Sequence, residues 1–374
     1  MFRARPRPHS PRPWPHMTLG KFLSAALGAL CVLCGDAARA EDVLRLFNWN
    51  NYITEASVKA FEERCKCRLA QDYYADNEEM LAKLAAGATG YDLIVPTGNA
   101  VETLIAAGKL QRIDKARLAN FSNLKPELTG QWFDPANDYS VPYAYSLTIL
   151  GYNREKLAEL GLPTDTWALI FEPKYLEKLK GKVTVLDSQR ELFAAALIYL
   201  GYSPNETDEA KLKDARDLIL RAKPYWAAFN AGSYFKELAV GNIWVALGYS
   251  NDMYTAQEDA KKAGRKFSIS YSTPSEGAVF ALDNLVVPKG AKRPDLAYRF
   301  IDFWLEGEAP ADITNAIGAG NANRTAMKWV KPAIAANRDL FPDEASMKRL
   351  HSLKDYDRKT RRLLNRLWVE VKVR

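Results

Sequence analysis

The chain has 374 residues, of which 48% are hydrophobic, and it carries a formal net charge of +7 with an isoelectric point near 9.0. Its first 40 residues hold six of the 52 Lys and Arg residues and one of the 45 Asp and Glu residues, so the remainder is close to +2. A charge that small gives little support to nucleic-acid binding. The remaining length exceeds what one hydrophobic core usually covers, so we expect two lobes.

Residues 1–40 have the pattern of a signal peptide. A basic segment precedes the apolar run Phe22 to Cys34, and Ala38-Arg-Ala40 supplies the small residues that precede a signal-peptidase cut. The apolar run is shorter than the ~20 residues that a membrane-spanning helix needs. We therefore expect an exported protein that begins near Glu41, with translation starting at Met1 or at Met17.

Cysteine and histidine are scarce after the predicted cleavage point. In an exported protein Cys65 and Cys67 could oxidise to a disulfide, but a disulfide across one intervening residue strains its ring, so we expect both to be buried as small apolar residues. A C-x-C pair without a nearby histidine does not indicate a metal site, and His351 alone does not indicate a catalytic triad. Lipidation of Cys34 stays an alternative to cleavage, although the residue before it is not small.

Strand and helix patterns alternate after the leader. We predict strands at 43–48, 67–73 and 92–96, with helices at 54–64 and from Asp76 to about residue 86. This β-α-β-α-β order predicts a parallel sheet, in which the loops that follow the strands meet at one edge.

Aromatic and amide residues follow the first of these strands directly. Trp49, Asn50, Asn51 and Tyr52 lie in its loop, and Thr97 opens the helix after the third strand. Ligands of open α/β sheets bind at the carboxyl ends of strands, so this edge is a candidate ligand cleft. The alternative is that both aromatic rings belong to the core.

The second half of the chain repeats the alternation between two long apolar runs. The runs at 142–152 and 277–288 are candidates for chain crossings between lobes, and two crossings predict a hinge. Between them we predict the strands 182–187 and 242–248 and the helices 189–200, 209–222 and 251–263.

Several motifs in collinear order resemble the periplasmic polyamine-binding proteins of ABC transporters, most closely their putrescine-binding branch. The resemblance covers the whole chain after residue 40. It is carried by Phe47-Asn-Trp-Asn-Asn-Tyr-Ile53, Gly90-Tyr-Asp-Leu-Ile-Val-Pro96, Gly151-Tyr-Asn153, Asp165-Thr-Trp167, Val245-Ala-Leu-Gly-Tyr-Ser-Asn-Asp252, Pro274-Ser-Glu-Gly277 and Asn321-Ala-Asn323.

The resemblance implies a two-lobed α/β fold of the type II periplasmic solute-binding class, with a mostly parallel sheet flanked by helices in each lobe. Lobe one would comprise residues 41–147 with 282–320, and lobe two residues 148–281 with 321–374. The implied function is capture of putrescine or a related small cationic amine in the periplasm and delivery to the membrane permease of an ABC transporter. The implied protein is a monomer without enzymatic activity, cofactor, metal or nucleic-acid partner.

The resemblance also implies which residues bind the ligand. Aromatic rings would enclose the alkyl chain and carboxylates would hold the ammonium ends. The corresponding positions here are Trp49, Asn50, Asn51, Tyr52, Thr97, Glu191, Tyr249, Asp252 and Asp283. Read from the residues alone, Glu191 could instead favour a helix dipole, Asp252 could cap a helix, and Tyr249 could be core.

Three residues depart from the putrescine pattern. Asn51 stands where an aspartate is usual, so one amine end would depend on Asp283. Ala281 and Ala319 stand where aromatic residues are expected, so we expect a wider cleft unless Phe280 replaces a ring. These departures leave a longer polyamine, a bulkier amine, or an amidine or guanidine open as the ligand. The alternative role is that of a ligand-sensing protein that signals to a receptor or regulator.

The same resemblance leads us to expect one absent disulfide. Lys182 and Trp244 lie near the positions where the second lobe usually carries two cysteines.

Overall fold

The structure is a computed structural model that describes residues 42–373. The predicted signal peptide and Cys34 lie outside these residues. Within residues 42–373, no helix combines the length and the apolar character that crossing a membrane requires. The same part of the chain holds no cluster of three or more His, Cys, Asp or Glu side chains suited to a metal ion.

Strands and helices alternate along the described chain. The strands are β1 (Val43–Trp49), β2 (Arg68–Tyr74), β3 (Leu93–Ile94), β4 (Val141–Asn153), β5 (Val183–Val185), β6 (Ala228–Phe229), β7 (Val245–Tyr249), β8 (Ile269–Ser272), β9 (Ala278–Leu285), β10 (Gly320–Asn321) and β11 (Leu350–His351).

Helices follow most of the strands. They are α1 (Glu55–Cys65), α2 (Asn77–Ala85), α3 (Gly98–Ala106), α4 (Arg154–Leu160), α5 (Ala168–Phe171), α6 (Pro173–Leu176), α7 (Gln189–Tyr199), α8 (Glu209–Ala222), α9 (Tyr234–Val240), α10 (Ser250–Lys262), α11 (Pro294–Leu305), α12 (Glu308–Ile317), α13 (Pro332–Ala335), α14 (Glu344–Met347) and α15 (Arg358–Val373).

The first sheet has the strand order β2-β1-β3, and both pairings are parallel. The sequence signals for its helices are confirmed. The Thr54 hydroxyl accepts from the Ser57 N–H at the start of α1, and the Asp76 carboxylate accepts from the Glu79 N–H at the start of α2. Because these caps fix where each helix begins, the preceding loops stay at the carboxyl edge of the sheet.

The second sheet is mixed. Its order is β11-β9-β4-β7-β5-β6, and β8 and β10 also pair with β4. Strand β5 is parallel to β6 and β7, and β11 is parallel to β9, whereas β4 is antiparallel to all its partners. Every residue of β4 is buried, as expected for a central strand.

The two apolar runs proposed as chain crossings form β4 and β9, and these strands lie side by side. Ser146 is paired with Ala281, and Ala144 is paired with Asp283. Neighbouring crossings are compatible with a hinge there. The lobe boundaries at residues 147, 281 and 320 stay a prediction.

Cys65 and Cys67 form a disulfide, so our expectation of two unpaired cysteines is wrong. Both residues are buried, as expected. Lys66 between them adopts a left-handed conformation with φ of 55° at the end of α1, and the two Cα atoms are 5.2 Å apart. The helix end therefore supplies the chain reversal that brings the two sulfurs within bonding reach.

Lys182 and Trp244, the residues near the positions where the resemblance implies two cysteines, are neighbours in the structure. The Trp244 N–H donates to the Lys182 carbonyl at 2.8 Å. The Lys182 ammonium lies 5.5 Å from the centroid of the Trp244 ring, so a cation–π contact occupies this position.

Candidate ligand-binding site

A cavity of about 570 Å³ lies at the carboxyl ends of β1, β3 and β7 and at the start of α7 and α10. The sequence predicted that the ends of β1 and β3 would meet, because the loops after parallel strands share one edge, and the family resemblance implied the residues at β7, α7 and α10. All nine residues predicted to bind a ligand line this cavity: Trp49, Asn50, Asn51, Tyr52, Thr97, Glu191, Tyr249, Asp252 and Asp283.

Asp283 on β9 is held between two hydroxyl groups. The Tyr52 hydroxyl donates to one carboxylate oxygen at 2.9 Å, and the Thr97 hydroxyl donates to the other at 2.6 Å. The side chain is only 4% exposed, and this burial raises its pKa to about 7, although both hydrogen bonds oppose the shift. A cation that enters the cavity would stabilise the charged carboxylate.

Asp252 lies in the first turn of α10 and accepts a hydrogen bond from the Tyr234 hydroxyl at 2.5 Å. The same hydroxyl accepts from the Tyr249 N–H at 2.8 Å. The residue that caps α10 is Tyr249, so Asp252 is not the helix cap. Burial raises the pKa of Asp252 to about 6.

A glycine makes room for the tyrosine that holds Asp252. A Cβ atom at Gly248 would lie 2.1 Å from the Tyr234 ring, which is closer than any real contact. The sequence of β7 therefore allows a fully buried tyrosine to reach across the strand to α10.

Glu191 is a further carboxylate of the cavity and is buried. It lies in the first turn of α7, is 8% exposed, and accepts from the Thr148 hydroxyl at 2.7 Å. Burial raises its pKa to about 7. The side chain that caps α7 belongs to Ser188, so Glu191 is oriented into the cavity by β4 rather than by its own helix end.

The loop after β1 forms an aromatic wall. The Trp49 indole N–H donates to the Val95 carbonyl at 2.8 Å, and its ring packs edge-on against Tyr74. Asn51 adopts φ of 58°, a left-handed conformation that asparagine tolerates better than most residues. These contacts hold the Trp49 ring in place. The ring is half-buried and lines the cavity, so its exposed part is available to a ligand.

The departures from the putrescine pattern are only partly located at the cavity. Ala281 and Phe280 line it, and the Phe280 ring packs against Tyr145 at 5.1 Å. Ala319 is fully buried outside the lining, where its carbonyl accepts from the Thr314 hydroxyl. The expectation that the absence of an aromatic ring at Ala319 widens the cleft stays a prediction.

The sequence reasoning missed several lining residues. Asp76 and Glu78 follow β2, and the strand-end argument used for β1 and β3 would have found them. Asp259 and Lys236 lie on helices away from any strand end, and Trp132 lies in an irregular segment. No motif in the sequence indicates that these three contribute to the cavity.

The charges of the described lining favour a cation. Its acidic residues are Asp76, Glu78, Glu191, Asp252, Asp259 and Asp283, and its basic residues are Arg190 and Lys236. Six carboxyl groups against two basic groups make a negative potential inside a cavity with aromatic walls. Aromatic faces add attraction for cations and pack against methylene groups.

The fold and the site define a solute-binding protein of the type II periplasmic class. The model of the bacterial extracellular solute-binding protein family matches residues 56–342. The chain belongs to this family.

Relatives in the same family are named for the amines they bind. The chain is 54% identical to a putrescine/cadaverine-binding protein of Pseudomonas aeruginosa PAO1, over 90% of this chain and 95% of that protein. It is 37% identical to the putrescine-binding periplasmic protein PotF of Escherichia coli K12, over 94% of this chain and 98% of that protein.

Solved structures confirm the fold. A putative spermidine/putrescine ABC transporter protein from Listeria monocytogenes superposes with a TM-score of 0.82 at 27% identity, over 89% of this chain and 99% of that chain. The Tp0655 (TpPotD) lipoprotein of Treponema pallidum superposes with a TM-score of 0.78 at 28% identity, over 89% of this chain and all of that chain.

Proposed function

We propose that this protein captures putrescine or a closely related small diamine in the periplasm and delivers it to the membrane permease of an ABC transporter. The observation that carries the proposal is the cavity in which six carboxyl groups and only two basic groups accompany aromatic walls. The names of its relatives support the same ligand class.

The arrangement suits a molecule with a cation at each end. Asp283 lies on β9 beside Tyr52 and Thr97, whereas Asp252 and Glu191 begin α10 and α7. Each ammonium group needs a carboxylate or hydroxyl partner once water is excluded, and these carboxylates come from different elements. The methylene chain between the ammonium groups would pack against Trp49 and Tyr249.

A thermal-shift panel tests the proposal. The protein beginning at Glu41 is melted with putrescine, cadaverine, spermidine, agmatine, lysine and succinate, each at several concentrations. A ligand at about 100 times its dissociation constant stabilises the folded state by ~2.7 kcal/mol, so a diamine should raise the melting temperature clearly. Succinate is the matched control with two negative ends, and stabilisation by succinate alone would refute the proposal.

A guanidine ligand is the second candidate. Ala281 places a small side chain in the cavity lining, which leaves room for a head group larger than an ammonium. A relative that is 32% identical is named a putrescine/agmatine-binding protein. A larger shift with agmatine than with either diamine would decide for this ligand.

The proposed protein acts as a monomer and without catalysis. The described cavity lining contains neither cysteine nor histidine. Light scattering at the concentrations of the binding experiments would measure the oligomeric state, and mass spectrometry of the recovered amine would reveal any chemical conversion.

A further inference from the structure

The cavity continues along α10 beyond Asp252. Asp252, Thr255 and Asp259 are spaced three and four residues apart, so they lie on one face of the helix, and all three line the cavity. Seven residues of α-helix correspond to a rise of about 10 Å. The lining therefore extends from the half-buried Asp252 to the exposed Asp259 near the end of the helix.

Lys236 on α9 lines this same cavity and is exposed. Its ammonium lies 5.7 Å from the centroid of the Phe235 ring, and it forms no ion pair with a carboxylate among the described residues. The helices α9 and α10 lie against each other, since the Tyr234 hydroxyl bonds Asp252. Lys236 thus adds a positive charge to the part of the cavity lined by α9 and α10.

The other basic residue of the lining is already engaged. The Arg190 guanidinium donates to the Asn205 side chain at 3.2 Å and to the Lys354 carbonyl at 3.1 Å. It also stacks on the Tyr356 ring at 3.9 Å. These contacts hold Arg190 in place, whereas Lys236 has no comparable acceptor among the described residues.

We infer that Lys236 makes the site select diamines over longer polyamines by charge. The inference rests on the proposed function. A cavity of about 570 Å³ lies within the range that accommodates ligands much larger than putrescine, so volume alone does not reject a triamine. A third ammonium that lies in the part of the cavity lined by α9 and α10 is repelled by Lys236, and the exposed Asp259 attracts it only weakly.

The test is a titration of putrescine and spermidine into the natural protein, Lys236→Gln and Lys236→Arg at one fixed salt concentration. Because Lys236 is exposed, water and salt screen its repulsion of an ammonium group, so the expected change in affinity is modest. Lys236→Gln should raise the affinity for spermidine about threefold to tenfold more than the affinity for putrescine. Lys236→Arg keeps the charge and should leave the ratio of the two affinities as in the natural protein.

Asp259→Asn is the matched control, because it removes a negative charge instead of a positive one. It should weaken the binding of spermidine more than the binding of putrescine. Melting curves confirm that each variant is folded, which is expected for exposed positions. An unchanged ratio in Lys236→Gln, with putrescine still bound, would overturn the inference and leave the proposed function standing. Equal shifts in Lys236→Gln and Lys236→Arg would also overturn it, because shape and not charge would be responsible. Failure of the natural protein to bind either amine would overturn both.

Discussion

Asp283 lies buried between the Tyr52 and Thr97 hydroxyls, and burial raises its pKa from 3.8 to about 7. A carboxyl whose folded pKa is raised binds its proton more tightly in the folded state than in the unfolded chain. The free energy of unfolding of the ligand-free protein should therefore fall as pH rises from about 4 to about 7. Glu191 and Asp252, with pKa values near 7 and 6, act in the same direction.

The first prediction concerns Asp283→Asn. Since each pKa unit corresponds to about 1.4 kcal/mol, the substitution should remove roughly 2–4 kcal/mol of the stability lost between pH 4 and pH 8. Urea unfolding at both pH values measures this difference. Glu308→Gln, at an exposed carboxyl on α12, is the control and should leave the pH dependence unchanged. If the free energy of unfolding of Asp283→Asn changes between pH 4 and pH 8 as much as that of the natural protein, Asp283 is ionised over this whole range.

The second prediction separates the effect of the Asp252 charge on binding from the effect of the Tyr234 hydroxyl that holds Asp252 in place. Asp252→Asn should weaken diamine binding by roughly 2–5 kcal/mol, because it leaves an ammonium group without its charged partner. Tyr234→Phe keeps the buried ring but removes the hydroxyl that donates to Asp252, so it should weaken diamine binding by about 1 kcal/mol. Calorimetry measures both. Unchanged affinity in Asp252→Asn would assign this carboxylate a structural role only.

The third prediction concerns the two departures that do line the cavity. Ala281→Phe adds an aromatic wall worth roughly 0.5–2 kcal/mol of cation–π attraction, and Asn51→Asp adds a negative charge to the loop after β1. The double variant should therefore bind putrescine more tightly and agmatine less tightly than the natural protein. Ala319→Gly serves as a control outside the lining. Equal putrescine affinity in the natural and double-variant proteins would show that Phe280 already supplies the missing wall.

At the scale of elements, the sequence predicted the parts that local rules determine. Thr54 and Asp76 are helix caps, and the long apolar runs are strands, because capping groups and periodicity act over a few residues. The mixed order of the second sheet was not predicted. It depends on pairings such as Thr148 with Tyr249 and with Val279, which are far apart in sequence and leave no local signal.

The same distinction applies to the site. The loop after β1 and Thr97 after β3 were predicted, since one topological rule places strand ends together, whereas Asp76 and Glu78 after β2 were missed although the same rule applies. Lys236 and Asp259 were missed because they reach the cavity only through the packing of α9 on α10. The Cys65–Cys67 disulfide was missed because its geometry depends on the left-handed conformation of Lys66.

The fourth prediction concerns this disulfide at the end of α1. The loop it closes is very short, so chain-entropy arguments give a stabilisation of only about 1–2 kcal/mol. The double substitution Cys65→Ala and Cys67→Ala should lower the free energy of unfolding by about that amount and leave diamine binding unchanged. A thiol assay on the unfolded, unreduced protein beginning at Glu41 should find no free thiols. Two thiols per chain would contradict the disulfide.

At the scale of the whole molecule, the cavity is lined by residues that follow strands of both sheets. Trp49 and Thr97 follow strands of the first sheet, whereas Glu191 and Asp252 begin helices that follow strands of the second. Asp283 lies on β9 and forms an isolated bridge with Thr97, so it connects the two groups. This position is compatible with the hinge predicted at β4 and β9, around which the site would close on a ligand.

Titration calorimetry with putrescine tests the central claim most directly. We predict saturable binding of one putrescine per chain at pH 8, and we predict that the affinity falls as pH is lowered toward 5. The reason is that Asp283, Glu191 and Asp252 become protonated and lose their attraction for ammonium groups. Absence of binding at pH 8, or binding that is equally tight at pH 5, would contradict the claim that these carboxylates hold a diamine.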